Sequence, residues 1–467
     1  MGGMSLVRRM MEKRERTGGI VILDFGSRHA QLIAREVREL EVYSRILPWD
    51  APVERVLQSE PKGIILSERP RAAEVSEVLS RFRESLPVLE IRSGERPVVH
   101  VPGGGRTMEQ LEACGQDDKD DMPKEKESVR AAGYGKELLP SFAFGVCGCE
   151  ATWKLDDWVA GALADVEEQI APEERVVCGL SGGVDSTVSA VLVSKVIGDR
   201  LDCIFVDHGF MRKDEPSQVL EMYRRLNLNV HHVDASDRFL AATKGVTSPE
   251  RKRKIIGELF VRVFEEEAKR LGGARHLLQG TIYPDVIESG TAGGDVIKSH
   301  HNVGGLPEDM EMTLLEPLRE LFKDEVRKIG AVLDIPRHFL SRHPFPGPGL
   351  AVRCLGELEK ERLDTLREAD AIFVSEIRAA GLYDSIWQAF CVLLPVRSVG
   401  MAEDVRTYGE TVVLRAVTSV DAMAAEPVHL PWELVDRVVK RICSEVPSVG
   451  RVVMDVTGKP PATIEWE

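Results

Sequence analysis

Apolar and polar positions alternate in two registers along this chain. Gly19–Phe25 is almost continuously apolar, and so are Val42–Leu47 and Gly63–Leu66. Short runs of this kind are strands buried on both faces of a parallel sheet. Between the first two, Leu32, Ile33, Val37 and Leu40 recur at helical spacing over Gln31–Leu40. The register returns further on. Glu174–Gly179, Leu201–Asp207, Asn229–Asp234 and Arg275–Gly280 read as strands, and Thr187–Val196 as a helix. Trp153–Ile170 reads as a linking helix with Trp158, Val159, Leu163 and Val166 on its apolar side. Leu315–Leu321 and Lys323–Ile329 close this stretch. In the last part, Arg378–Gln388 is expected to be helical, Thr411–Val417 and Arg451–Val456 to be strands, and Pro431–Val446 an amphipathic helix. That helix sets Leu434, Val435, Val438, Val439 and Ile442 against Asp436, Arg437, Lys440 and Arg441. The pattern is α/β: two doubly wound parallel-sheet regions and a smaller α/β region at the end.

With 467 residues the chain has room for several domains. Its formal net charge of −15 argues against nucleic acid as a partner. No apolar run is long enough to span a bilayer, so no membrane partner is read either. Eight cysteines are spread through the chain, some within strand-like runs, which fits reduced thiols and a cytoplasmic location. Met1–Arg16 is basic but lacks the apolar core of a secretory signal, and residues 1–18 read as a disordered start. Cys147-Gly148-Cys149 has no second pair or nearby histidine, so it is not read as a metal site.

The chemistry concentrates at Leu180-Ser181-Gly182-Gly183-Val184-Asp185-Ser186, on the turn between a predicted strand and a predicted helix. Glycines let backbone approach a ligand, and a helix start offers free N–H groups and a positive dipole end. Together with two serine hydroxyls these suit a pyrophosphate. No Gly-Lys-Ser/Thr follows, so this is not a Walker A loop. Asp185 fits a phosphate site if it holds Mg²⁺ against the anion. Arg212 follows a core strand at its carboxyl end, where ligands bind in open α/β sheets. Asp285 and Glu288 read either as further Mg²⁺ ligands or simply as polar surface. Gly290–Gly294 is glycine-rich and the segment after it carries Lys298, which suits a lid over triphosphate.

Ser-Gly-Gly-Val-Asp-Ser resembles the pyrophosphate loop of the N-type ATP pyrophosphatases, which adenylate a carbonyl oxygen. Phe-Val-Asp-His-Gly (205–209), Gly-Thr-Ile-Tyr-Pro-Asp-Val-Ile-Glu-Ser (280–289), Ile-Lys-Ser-His-His-Asn-Val-Gly-Gly-Leu-Pro (297–307) and Pro-Leu-Arg-Glu-Leu-Phe-Lys-Asp-Glu-Val (317–326) resemble the GMP synthetase family within that group. The resemblance implies that ATP and xanthosine monophosphate (XMP) are substrates and Mg²⁺ the cofactor. Ser181, Gly182, Gly183, Val184, Asp185 and Ser186 then bind pyrophosphate, and Asp185 and Lys298 act in catalysis. Arg212, Gln388, Lys459 and Glu465 bind XMP. The resemblance further implies a homodimer formed by the C-terminal region. Gly458 stands where the family usually has serine.

The first region resembles a class I glutamine amidotransferase domain through Ile-Leu-Asp-Phe-Gly-Ser, Gln-Leu-Ile-Ala-Arg and Lys-Gly-Ile-Ile-Leu-Ser. Where that family has its Gly-Ile-Cys-Tyr-Gly nucleophile elbow, this chain reads Glu90-Ile91-Arg92-Ser93-Gly94, with arginine at the cysteine position. No His-Pro-Glu follows. Ser93 has no neighbouring base to activate it. Gly115–Arg130 is charged and nearly without apolar residues, where the family has further strands. The expected organisation is a disordered start (1–18), a truncated amidotransferase-like domain (19–150), an ATP pyrophosphatase domain (151–342) and a C-terminal dimerisation domain (343–467). The expected reaction is ammonia-dependent amination of XMP, with a separate glutaminase subunit left open as the ammonia source. The alternative is a non-catalytic nucleotide-binding or regulatory relative.

Overall fold

A computed structural model describes residues 17–26, 29–67, 72–91, 97–102, 137–288, 312–402, 405–419, 422 and 424–467. Its chain divides into two units, Met1–Val159 with Pro284–Ile297, and Ala160–Tyr283 with Lys298–Glu467. Arg92, Ser93, Lys298 and the charged 115–130 stretch lie outside the described residues.

In the first unit, β1 (Ile20–Asp24), α1 (His29–Glu39), β2 (Ser44–Pro48), α2 (Val53–Leu57), β3 (Gly63–Leu66), α3 (Ala72–Phe82), β4 (Val88–Glu90) and β5 (Val98–His100) follow in order. The sheet order is β2-β1-β3-β4-β5, parallel except for β5, which runs antiparallel to β4. Every residue of β3 and all but Asp24 of β1 are buried, as continuous apolar runs require in a sheet covered on both faces. Val21, Leu23, Ile64, Leu66, Val78 and Phe82 form part of one core.

Helix α4 (Leu155–Gln169) runs across the division between the units. The second unit then builds β6 (Arg175–Leu180), α5 (Val184–Ile197), β7 (Leu201–Asp207), α6 (Glu215–Arg225), β8 (Val230–Asp234), α7 (Ser236–Ala242), α8 (Pro249–Leu271), β9 (Ala274–Leu278), β10 (Thr313–Leu315) and α9 (Lys323–Val332). These strands make a parallel sheet ordered β10-β9-β6-β7-β8. The chain leaves β6 toward β7 and β8, then returns to β6's other side with β9. The crevice outside the carboxyl ends of β6 and β9 is therefore the sheet's switch point, the usual ligand position in such folds.

The same unit carries α10 (Lys360–Ala379), β11 (Gln388–Ala402), β12 (Val405–Thr418), β13 (Glu426–Pro427), α11 (Trp432–Glu445) and β14 (Val449–Asp455). β12 pairs antiparallel with β11 and β13, and parallel with β14 through the α11 crossover. A single apolar core joins residues of both sheets, from Ile204 and Phe264 to Phe373, Val412 and Ile442.

The helix expected over Arg378–Gln388 is not there. α10 stops at Ala379 because Gly381 takes a left-handed φ of +70°. Gly381 N–H donates to Arg378 O and Leu382 N–H to Ile377 O, the paired closing bonds of a Schellman motif. Gln388 is instead the first residue of β11. The β11–β12 pairing shifts register between Leu394 and Arg397, where Pro395 offers no ladder N–H. Val396 within that bulge, and Val399, Met401 and Tyr408 beyond it, are exposed on the ribbon.

Candidate functional site

β6 delivers the Ser181–Ser186 loop to the switch point. Gly182 is buried and takes φ +76°, which a side chain would strain. Its N–H donates to Tyr223 Oη at 3.2 Å. Tyr223 is buried, and that burial pushes its phenol pKa upward, so it stays a neutral partner. Gly183 caps α5 in an extended conformation. The Gly183 N–H donates to Ser181 Oγ at 3.3 Å, and Ser186 Oγ lies 3.3 Å from Ser181 Oγ. Ser186 Oγ and Thr187 Oγ1 both donate to Gly183 O, at 3.2 and 2.8 Å. Val184 is buried beneath the turn. On the β9 side Gly280 presses against this helix start: a Cβ there would meet Ser186 N at 2.8 Å. The loop thus gathers the Ser181 and Ser186 hydroxyls and the Gly183 N–H within one turn, with Tyr223 and Thr187 bonded to its backbone.

Asp185 sits in the first turn of α5, where a carboxylate opposes the dipole favourably. Its Oδ2 pairs with Lys323 Nζ at 2.5 Å, while its buried Oδ1 has no hydrogen-bond partner. A buried carboxylate oxygen is costly without a partner. A hard cation such as Mg²⁺ takes oxygen donors, so the orphaned oxygen fits that group. Asp285 and Glu288 belong to the short helix Tyr283–Glu288.

A second cluster gathers most of the residues expected to hold XMP. Gln388 Nε2 donates to Glu465 Oε1 at 2.8 Å and to Pro344 O at 2.9 Å. Glu465 is gripped by Arg353, from Nε to Oε2 at 2.9 Å and from Nη2 to Oε1 at 2.8 Å. Arg353 is fully buried, and its guanidinium lies over the rings of Phe390 (4.0 Å) and Phe345 (5.1 Å). Phe345 also lies under Arg212, at 5.2 Å, and Arg212 pairs with Asp370 at 3.1 Å. Arg212, Gln388 and Glu465 are therefore bridged by Phe345, Arg353 and the Pro344 carbonyl. Lys459 turns elsewhere: its Nζ donates to Ala422 O at 2.8 Å, and its backbone pairs with Ala425. Lys213 makes a surface pair with Glu368.

Two histidines flank this cluster as neutral scaffold. His343 stacks on Tyr383 at 3.8 Å, accepts the Ala389 N–H at Nδ1 and donates from Nε2 to Tyr383 O. Burial, with Arg212 and Arg378 nearby, lowers its pKa to about 4. Burial lowers His208 to about 4 as well. His208 Nδ1 accepts the Phe210 N–H, and Phe210 O accepts from Leu350 N–H at 2.7 Å. The segment carrying Arg212 is thereby stitched to the proline-rich 343–349 loop.

Sequence reasoning missed Tyr223, Lys323, Arg353 and Asp370. Lys323 left one signal: it opens α9, and a lysine at a helix N-terminus opposes the dipole unless a carboxylate answers it.

Family profiles match three stretches of the chain: glutamine amidotransferase class-I over residues 21–125, NAD synthase over 156–262, and GMP synthase C terminal domain over 375–466. "GMP synthase [glutamine-hydrolyzing]" of Symbiobacterium thermophilum is 47% identical over 508 residues, covering 96% of this chain and 99% of the relative. Those of Carboxydothermus hydrogenoformans and Aquifex aeolicus are each 45% identical over 506 residues with the same coverage. The chain belongs to the GMP synthase family. The GMP synthase match runs longer than the 467 residues of this chain, so the relatives contain positions that are missing here. The α/β expectation holds, with amidotransferase, ATP pyrophosphatase and C-terminal GMP synthase regions in that order. Among the described residues no helix is long and apolar enough to cross a membrane.

Proposed function

We propose that this chain converts XMP to GMP, adenylating the C2 oxygen of XMP with ATP and displacing AMP with ammonia. The observation that carries the reading is the hydroxyl- and N–H-lined Ser181–Ser186 loop at a switch point, with one Asp185 oxygen left without a partner. In this reading the loop binds the departing pyrophosphate, whose charge grows as it leaves. Mg²⁺, when bound, would sit at Asp185 and neutralise that charge. Lys323, already paired to Asp185, adds a positive charge beside it, and Lys298 adds another from the segment after Gly290–Gly294. Glu465, fixed by Arg353 and Gln388, offers a carboxylate to the nucleotide base, and Arg212 offers positive charge to its phosphate; Lys459, the fourth residue assigned to XMP, would have to leave its bond to Ala422 O to join them. No protein nucleophile is needed: holding XMP in line with the α-phosphate supplies much of the rate. Incubation with ATP, Mg²⁺, XMP and ammonium should yield GMP, AMP and pyrophosphate in equal amounts. ADP and inorganic phosphate in their place would overturn the reading.

The nitrogen donor is where this chain departs from its named relatives. Amide hydrolysis needs a thiolate and a base. Here Arg92 follows the strand that should present the nucleophile, and no His-Pro-Glu stands downstream. We therefore assign the chain free ammonia as its donor, supplied from solvent or by a separate glutaminase. The domain limits 19–150, 151–342 and 343–467 are retained as part of this proposal.

The ribbon at and beyond the β11 bulge supports a homodimer, since Val396, Val399, Met401 and Tyr408 are uncovered in one chain. Light scattering at micromolar concentration should report twice the chain mass. A monomer would remove this part of the reading.

A further inference from the structure

Arg342 precedes the 343–349 loop and belongs to neither cluster described above. Its side chain is 24% exposed and pairs with Glu215, whose side chain is 6% exposed. The same Arg342 guanidinium donates from Nη1 to Gly182 O at 3.4 Å. Glu215 is itself fixed, its Oε2 accepting the Arg212 N–H at 3.0 Å. Burial and the Arg212 charge lower the Arg342 pKa to about 10, which leaves it protonated at neutral pH.

The carbonyl and N–H of a trans peptide point in opposite directions. Anchoring Gly182 O therefore fixes where the Gly183 N–H points, and that N–H donates to the Ser181 hydroxyl, which lies 3.3 Å from the Ser186 hydroxyl. A Gly-Gly peptide is the easiest of all to rotate, because neither residue has a Cβ to resist it. Rotated, it would aim a carbonyl oxygen at the anion. We propose that Arg342, backed by Glu215, is a positioning residue that holds the Gly182–Gly183 peptide with its N–H toward pyrophosphate. Arg342 touches no substrate in this role. The proposal rests on the reading of Ser181–Ser186 as the pyrophosphate loop.

The test compares binding of magnesium pyrophosphate and of adenosine to the full chain and its Arg342→Ala, Arg342→Lys and Glu215→Gln variants. Loss of a charge-assisted bond that orients a peptide dipole should weaken pyrophosphate binding roughly ten- to a hundredfold in Arg342→Ala. Adenosine, which has no phosphate, should stay within about twofold. Arg342→Lys keeps the charge and one donor direction and should recover part of the loss. Pyrophosphate affinity unchanged in Arg342→Ala, or pyrophosphate and adenosine weakened together, would overturn the proposal. Should Arg342→Ala fail to melt cooperatively, Glu215→Gln decides instead. It keeps the shape but removes the backing charge, and a selective loss for pyrophosphate supports the proposal while no selectivity overturns it. Failure of the unaltered chain to bind magnesium pyrophosphate would instead reject the loop assignment itself.

Discussion

Asp185→Asn should lower pyrophosphate release by roughly a thousandfold while the protein melts within a few degrees of the unaltered chain. The substitution keeps the shape of the side chain and its place in the first turn of α5. It removes the only formal charge in the Ser181–Ser186 loop and leaves a neutral amide oxygen, a much weaker donor to a cation than a carboxylate. The stability cost should be small for a physical reason. The Asp185–Lys323 pair is part-exposed, with side chains 25% and 29% accessible, and pairs of that kind contribute about 1 kcal/mol or less. Lys323 released from Asp185 still reaches water. The loss therefore belongs to the reaction and not to folding. Steady-state pyrophosphate release alongside thermal melting checks both halves. Release near the unaltered rate would remove Asp185 from the cation site. Equal losses in rate and in melting temperature would make it a structural residue.

Most of the parallel strands were legible as short runs with no competing helical period, while the three-residue β4 (Val88–Glu90) and β10 (Thr313–Leu315) are too short to leave a pattern and were not read. Leu201–Asp207 and Gly63–Leu66 were placed to the residue. The Ser181–Ser186 loop was legible for a related reason: its chemistry is local, with strand, turn and helix start contiguous in sequence. β11 was not. Pro395 and Gly400 interrupt its apolar run, and only the pairing with β12 shows that the proline sits at a bulge. Gln388 was placed on a helix for want of the signal that Gly381 ends α10 before Ile386 and Trp387. Lys323, Arg342 and Arg353 escaped because their partners lie far along the chain. Lys323 meets Asp185 across 138 residues, Arg342 meets Gly182 across 160 and Arg353 meets Glu465 across 112. Such pairs leave no periodic trace. The Gln388–Glu465 contact became readable only through family resemblance, which named both residues without saying that they touch.

The central claim is that synthetase chemistry survives in this chain without glutamine hydrolysis, and the nitrogen donor tests it most directly. Arginine at position 92 offers no nucleophile, because a guanidinium stays protonated at any pH where the protein is folded. Restoring cysteine at that position alone should not rescue glutamine use, since a thiol also needs a base within hydrogen-bond reach. In the proposed reading the amination half needs neither group, because ammonia would reach the adenylated intermediate by diffusion. Purified chain should be given ATP, Mg²⁺ and XMP with either ammonium chloride or glutamine, and GMP and glutamate should be measured together. The account predicts GMP from ammonium, rising with ammonium concentration and with pH as the NH₃ fraction grows, and neither GMP nor glutamate from glutamine. Glutamate and GMP formed from glutamine, with no second protein present, would contradict it.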